Sequence, residues 1–180
     1  MNAIKLLFDD SPETIDFAAK KCIQYPELVE EMLDIAVSNR PVYSILAARV
    51  INKLMLDSTK QLSGFCNSII KRYSEISDHQ VKIVLMELFY LSNFEPDVSN
   101  FILLSQHCFR ELDGNGNENL KILCLEVLNK LAIEDDDLRS ELFWLLHKIS
   151  FLNSGNLKSR SEEIIKKLFE TNRGTTFAKL

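Results

Sequence analysis

The sequence predicts an all-α protein in which antiparallel helix pairs stack into a short solenoid. Hydrophobic residues make up 46% of the 180-residue chain and charged residues 26%, so a sizeable core is available. The chain has only five glycines and four prolines, too few for the many tight turns of a β-sandwich or barrel. Helix-start signals also recur at a constant spacing, which is typical of stacked helix pairs.

Capping side chains and prolines mark the helix starts. Ser11 precedes Pro12, which combines an N-cap with proline at the first helical position. Pro26 and Pro41 also precede amphipathic runs, and Ser58 and Asp78 are predicted N-caps. Acidic residues open two later runs, where they favour the positive end of the helix dipole. These signals predict nine helices, over residues 12–24, 26–38, 41–56, 58–76, 79–92, 97–112, 119–133, 136–152 and 157–171.

The spacing of these helices predicts a repeat. The third, fifth, seventh and ninth helices are predicted to begin near residues 41, 79, 119 and 157. The fourth, sixth and eighth are predicted to begin near residues 58, 97 and 136. Both series have a period of about 39 residues, so each period holds one antiparallel helix pair.

Short sequence echoes accompany this period. A charged residue, two bulky apolar residues and a later Lys-Leu recur in Arg49-Val50-Ile51-Asn52-Lys53-Leu54, in Glu126-Val127-Leu128-Asn129-Lys130-Leu131 and in Glu163-Ile164-Ile165-Lys166-Lys167-Leu168. In this pattern the chain resembles the HEAT and armadillo-type repeat proteins. The resemblance implies a right-handed α-α superhelix of about four helix pairs, with the second helix of each pair on the concave face. We expect one domain over residues 1–172 and a flexible tail over residues 173–180.

Helical-wheel positions place three rows of side chains opposite the apolar faces of the fourth, sixth and eighth helices, and parallel stacking of these helices would bring the rows together across the concave surface. The rows are Lys71, Arg110 and His147; Asn67, Gln106 and Phe143; and Ser68, His107 and Trp144. Two cations and an imidazole in one row could receive a carboxylate or a phosphate. The alternative is that these side chains are simply the solvated face of each helix.

Trp144 is the single tryptophan of the chain, and it lies beside Phe143 and away from the apolar face of its helix. Two adjacent aromatic side chains off the core face could anchor a binding partner. They could equally pack between neighbouring repeats. The candidate ligand-binding residues are Lys71, Arg110, His147, Asn67, Gln106, Phe143 and Trp144.

No catalytic, metal or cofactor motif is found in the sequence. Residues 113–119 open like a calcium loop, but Glu118 stands where glycine is needed and Cys124 where a bidentate acid is needed. This segment is therefore predicted to be a connection between helices. The four cysteines fall on apolar arcs and are predicted to be buried thiols. We expect no cofactor and no metal.

Charge and targeting signals favour a reduced, cytoplasmic protein that does not bind membranes. The net charge is −5 and the isoelectric point about 5.3, which disfavours general nucleic-acid binding. No signal peptide or membrane-spanning run is recognised. The leading hypothesis is a non-enzymatic module that binds a protein or peptide on its concave face. The alternative is a HEAT-like protein, similar to those of DNA-alkylation repair, that contacts phosphates through Lys71, Arg110 and His147; a helical enzyme is a third hypothesis.

Overall fold

The computed structural model describes residues 2–57 and 63–176 of the chain. Within these residues the protein is all-α and contains no strand, as predicted. This described part of the chain contains two short 3-10 helices, Ala3–Leu6 and Tyr73–Glu75, and nine α-helices. The α-helices are α1 (Pro12–Gln24), α2 (Glu27–Val37), α3 (Tyr43–Asp57), α4 (Ser63–Arg72), α5 (His79–Leu91), α6 (Val98–Asp113), α7 (Glu118–Leu131), α8 (Asp136–Leu152) and α9 (Asn156–Thr176).

Side-chain caps begin the helices where the sequence predicts them. The Ser11 hydroxyl accepts a hydrogen bond from the Thr14 amide at 3.2 Å, and Pro12 is the first residue of α1. The Asp78 carboxylate accepts from the Gln80 amide at 2.7 Å at the start of α5. Each bond satisfies an amide that would otherwise lack a partner in the first helical turn. Ser58, another predicted cap, lies outside the described residues.

The start of α3 differs from the prediction by two residues. Proline 41 lies in a tight turn instead of opening the helix, and the turn places Asn39 at φ 54° and Val42 at φ 69°. The Asn39 side chain stabilises this turn through hydrogen bonds to residues that are distant in sequence. It donates to the Glu75 carbonyl at 2.8 Å and accepts from the Ser77 amide at 2.7 Å. A left-handed backbone suits asparagine, whereas a β-branched valine rarely adopts it.

The odd-numbered helices pack side by side in series along the protein. α1 packs against α3, α3 against α5, α5 against α7, and α7 against α9. The even-numbered helices lie against this series, with α2 on α3, α6 on α7 and α8 on both α7 and α9. α4 packs against α6. We refer to the odd-numbered helices as the odd series.

Polar contacts recur at the spacing of the helices. α3, α5, α7 and α9 begin at Tyr43, His79, Glu118 and Asn156, so successive starts are 36, 39 and 38 residues apart. Hydrogen bonds join residues separated by 38 or 39 positions, such as Arg72 to Asp34 and the Leu157 amide to Glu118. Contacts one repeat length apart are expected when similar units stack. The arrangement is therefore compatible with a helical repeat.

The core follows from this packing. Helices of the odd series bury wide faces because they have neighbours on several sides; α3 alone buries Leu46, Ala47, Ala48, Val50, Ile51, Leu54 and Met55. α8 buries one narrow stripe, formed by Leu138, Leu142, Leu146 and Ile149. The opposite face of α8 is therefore open to solvent, and it carries part of the candidate site.

Candidate functional site

The first predicted row is exposed on three different helices. Lys71 lies in the last turn of α4, Arg110 in the last turn of α6 and His147 on α8, and all three side chains are exposed. Within residues 2–57 and 63–176, Lys71 and Arg110 make no ion pair with any carboxylate. The neighbouring Arg72 is different, since it contacts Asp34 at 2.6 Å and Glu75 at 3.1 Å. Lys71 and Arg110 are therefore available to pair with an anionic group.

The second row is divided between packing and solvent. Asn67 is half-buried, and its amide donates to the Asp97 carboxylate at 3.3 Å, which joins α4 to the start of α6. Asp97 also accepts hydrogen bonds from Asn100 and Ser99, and these bonds lower the pKa of its carboxyl to about 2. Gln106 is exposed on α6, and Phe143 is half-buried on α8. Asn67 thus connects two helices.

The third row is not a continuous exposed row, and this part of the prediction is wrong. His107 is only 3% exposed because α4 packs against its side of α6. Its Nε2 lies 3.0 Å from the Ile70 carbonyl oxygen, and its ring lies 5.1 Å from that of Tyr73. The carbonyl can only accept, so Nε2 carries the proton and donates. Burial lowers the pKa of His107, which favours the neutral ring.

Trp144 is 75% exposed, so the interpretation that it packs between repeats is also wrong. The physical reason lies in the neighbours of each helix. α6 has α4 against it on the side of His107, whereas α8 packs against α7 and α9 and leaves Trp144 in solvent. His107 and Trp144 have the same angle on the helical wheel, but a neighbouring helix covers only His107.

Phe143 joins Trp144 and His147 in an aromatic cluster on α8. The Phe143 ring meets the Trp144 ring edge-on, with centroids 6.3 Å apart, and meets the His147 imidazole edge-on at 4.5 Å. Such edge-to-face contacts favour a fixed orientation of the rings. The structure therefore brings three of the predicted site residues together on one face of α8.

Phe151 extends this face and was missed by the sequence analysis. It is 87% exposed and lies seven residues, two helical turns, after Trp144. Glu141 and Lys148 occupy the same stripe and are also exposed. The signal was present in the sequence, because a wheel carried to the end of the helix places Phe151 beside Trp144. We use the name α4–α6–α8 surface for five exposed side chains that lie on these three helices: Lys71, Arg110, Trp144, His147 and Phe151.

A groove near the N-terminus is another feature that the sequence did not predict. It has a volume of about 510 Å³, and its lining includes Val42, the apolar side chains of Ile45 and Leu46 on α3, and three aspartates. The aspartates already serve the fold, since Asp9 accepts from Ser11, Asp10 pairs with Arg49 at 3.7 Å and Asp78 caps α5. The groove depends on the left-handed turn at Val42, which a helical pattern does not reveal.

The thiols do not contribute reactive groups to any surface. Cys22, Cys66, Cys108 and Cys124 are all buried, which confirms the prediction. Burial raises the pKa of Cys22 to about 11, with a smaller contribution from Glu31, and that of Cys66 to about 12. Burial also raises the pKa of Cys108. Thiols with raised pKa values remain protonated near neutral pH and are poor nucleophiles.

The remaining predicted features are local. Gly114 follows the last residue of α6, and the side-chain Oδ1 of Asn117 caps α7 by accepting from the Asn119 amide at 2.8 Å. The predicted connection between the helices is confirmed for residues 114–117, while residue 113 ends α6 and residues 118 and 119 begin α7. In the part of the chain that the structure describes, no three His, Cys, Asp or Glu side chains are grouped closely enough to hold a metal ion. Nor does any helix of that part have the length and apolar character needed to cross a membrane.

No family model, curated protein or solved structure matches this chain. The fold therefore defines its class, an all-α protein whose helices pack in series in a manner compatible with a helical repeat.

Proposed function

We propose that the protein is a non-enzymatic interaction module that binds a peptide segment of a partner protein on the α4–α6–α8 surface. The observation that carries this proposal is the exposure of Trp144, at 75%, beside Phe143 and His147. Tryptophan is enriched among the residues that dominate binding energy at protein interfaces. Covering an exposed indole with a partner favours binding, because apolar surface is removed from water.

The charges of this surface favour a segment that combines acidic and apolar side chains. Lys71 and Arg110 have no carboxylate partner among the described residues, so acidic side chains of a peptide can pair with them. Trp144 and Phe151 offer apolar contact two helical turns apart on α8. The peptide would thus place acidic residues at α4 and α6 and apolar residues at α8.

A nucleic-acid backbone fits this surface less well than a peptide. Asp136, Asp137 and Glu141 are exposed on α8, close in sequence to Trp144. A phosphate backbone carries charge along its whole length and would be repelled there. A peptide can place its acidic residues away from α8, which supports the protein-binding hypothesis over the DNA-repair-like alternative.

We further infer that the helices form a short right-handed solenoid of HEAT or armadillo type. Packing in the odd series and hydrogen bonds one repeat length apart support this architecture. The even-numbered helices would then lie on the concave side, where such folds bind partners. The buried, protonated thiols are consistent with a cytoplasmic location, which is part of the same proposal.

Selection from a randomised peptide library tests the proposal. Selection on the wild-type protein should enrich peptides that contain both acidic and bulky apolar residues. Trp144→Ser should weaken binding of the enriched peptides roughly thirtyfold, the scale of a hot-spot residue. Lys71→Glu with Arg110→Glu should weaken binding of the same peptides by a similar factor.

Two matched control variants make this test specific. Ile133→Ser removes another exposed apolar side chain, and Lys166→Glu reverses another exposed cation. Both should leave peptide binding within about twofold of the wild type. The proposal fails if no peptide is enriched, or if the enriched peptides bind the Trp144 and Lys71/Arg110 variants as tightly as the wild type.

A further inference from the structure

Among the residues that the structure describes, no helix packs on the outer flank of α1, which lies at one end of the odd series. α1 packs against α2, α3 and the first 3-10 helix through small buried residues, namely Thr14, Ala18, Ala19 and Cys22. Each of α3, α5 and α7 has an odd-numbered neighbour on both sides, whereas α1 has such a neighbour on one side. The face of α1 opposite these buried residues carries Glu13, Phe17, Lys20 and Gln24, all exposed.

Two exposed aromatic side chains lie among the polar residues at this end of the protein. Phe17 is 46% exposed and Tyr25 is 42% exposed. The Lys21 ammonium lies 5.6 Å from the centre of the Phe17 ring and 5.8 Å from that of Tyr25. A cation between two rings restrains both, so the aromatic surface is ordered before any partner binds.

The other end of the odd series has a different character. The outward residues of α9 within the described side chains include Glu162, Glu163, Lys166 and Lys167, and they are exposed and charged. A polar outer face is what a terminal repeat needs to stay in solution. The outer face of α1 differs, because the exposed ring of Phe17 lies between its charged side chains. The two ends of the series are therefore not equivalent, and among the described side chains only the α1 end offers a partner aromatic surface together with charges.

The charges on α1 are complementary to those of a second copy of this chain. Glu13 and Lys20 are seven residues apart on the exposed flank, with Phe17 between them. A two-fold axis near Phe17 places two α1 helices antiparallel, so that Glu13 of each copy meets Lys20 of the other. We propose that two copies associate head to head through α1, with their Phe17 rings in contact at the axis. The two helix dipoles then also run antiparallel, and the two-fold interface closes without leading to a filament.

Sedimentation velocity of the full chain over a range of concentrations tests this proposal. The wild type should show a reversible monomer–dimer equilibrium. Phe17→Glu, which places two carboxylates at the axis, should give monomer at every concentration while the helical circular-dichroism signal stays unchanged. Glu13→Lys or Lys20→Glu should each weaken dimerisation about tenfold or more, since every reversal acts twice across a two-fold axis.

Charge exchange separates a specific contact from a general effect of net charge. The double variant Glu13→Lys with Lys20→Glu restores opposite charges across the axis and should recover the wild-type dimer. The matched control, Glu27→Lys with Lys166→Glu, exchanges the same charges at exposed sites on α2 and α9 and should not alter dimerisation. A wild type that stays monomeric, a dimer that survives Phe17→Glu, or a double variant that stays as weak as the single ones overturns the proposal. None of these results depends on Trp144, so the proposed peptide site is judged separately.

Discussion

His107 and Trp144 occupy equivalent turns of α6 and α8, yet His107 is 3% exposed and Trp144 is 75% exposed. The imidazole of His107 contacts the Ile70 carbonyl of α4 at 3.0 Å. The indole of Trp144 meets Phe143 of its own helix. The same helical position therefore connects α6 to α4 through His107, whereas on α8 it presents the indole of Trp144 to solvent.

Charge reversal on the α4–α6–α8 surface should leave the fold intact. Lys71 and Arg110 are exposed and form no ion pair among the described residues, so Lys71→Glu with Arg110→Glu should shift the melting temperature by no more than about 3 °C. Arg72→Glu is the matched control, because it removes contacts with Asp34 and Glu75 and adds a third carboxylate. It should lower the melting temperature by roughly 4 °C or more. Equal shifts for both variants in a thermal scan would show that Lys71 and Arg110 are structural.

The ion pair between α5 and α6 should behave as a largely buried pair. Lys82 and Glu111 lie 2.5 Å apart with side chains 16% and 12% exposed. Lys82→Met leaves the Glu111 carboxylate without its partner and should lower the free energy of unfolding by about 3 kcal/mol. Adding Glu111→Leu should restore much of the loss, because the orphaned charge is removed. Urea unfolding of the wild type and the three variants measures this cycle, and simple additivity of the two single losses would contradict the account.

Stability should fall on mild acidification because of His107. Burial lowers the pKa of His107 in the folded protein, so the unfolded chain binds the proton more tightly. The contribution of His107 to the free energy of unfolding is therefore complete above the pKa of an unfolded histidine, about 6.5. It is lost as the pH falls below that value, by at most about 1.4 kcal/mol per pH unit. Arg110 and Lys82 oppose protonation of the ring, while Glu111 and the Ile70 carbonyl favour it. His107→Gln should show a flatter dependence of unfolding free energy between pH 7 and pH 5; an unchanged slope would exclude this origin.

The four thiols should react slowly in the folded protein. All four cysteines are buried, and raised pKa values keep the thiols of Cys22, Cys66 and Cys108 protonated. A chromogenic disulfide reagent should release four equivalents only after denaturation, and the native reaction should follow the rate of opening. Four fast equivalents from native protein would refute the buried arrangement.

Local chemistry made the helices and their cores predictable from the sequence. Ser11 with Pro12 and Asp78 place the starts of α1 and α5, because the first amides of each helix need an acceptor. The turn at Val42 was not predictable, since its left-handed backbone is held by the contacts of Asn39 with Glu75 and Ser77, more than thirty residues away.

The candidate site was predictable only in part for a related reason. A helical wheel gives the angle of a side chain on its own helix, and it correctly separated the buried stripe of α8 from Trp144. It does not give the neighbours of that helix. His107 and Trp144 have the same angle, but α4 covers the first, whereas α8 packs against α7 and α9 and leaves the second open.

The single indole of the chain offers the most direct test of the proposed peptide site. Trp144 gives one indole N–H resonance in a proton–nitrogen spectrum of the full-length protein, so it needs no further assignment. Titration with a library-selected peptide should shift this resonance, together with amides around Arg110 on α6 and His147 on α8. An indole resonance that stays unmoved at saturation, with shifts confined to the groove near Val42, would contradict the account and move the binding site to the other end of the protein.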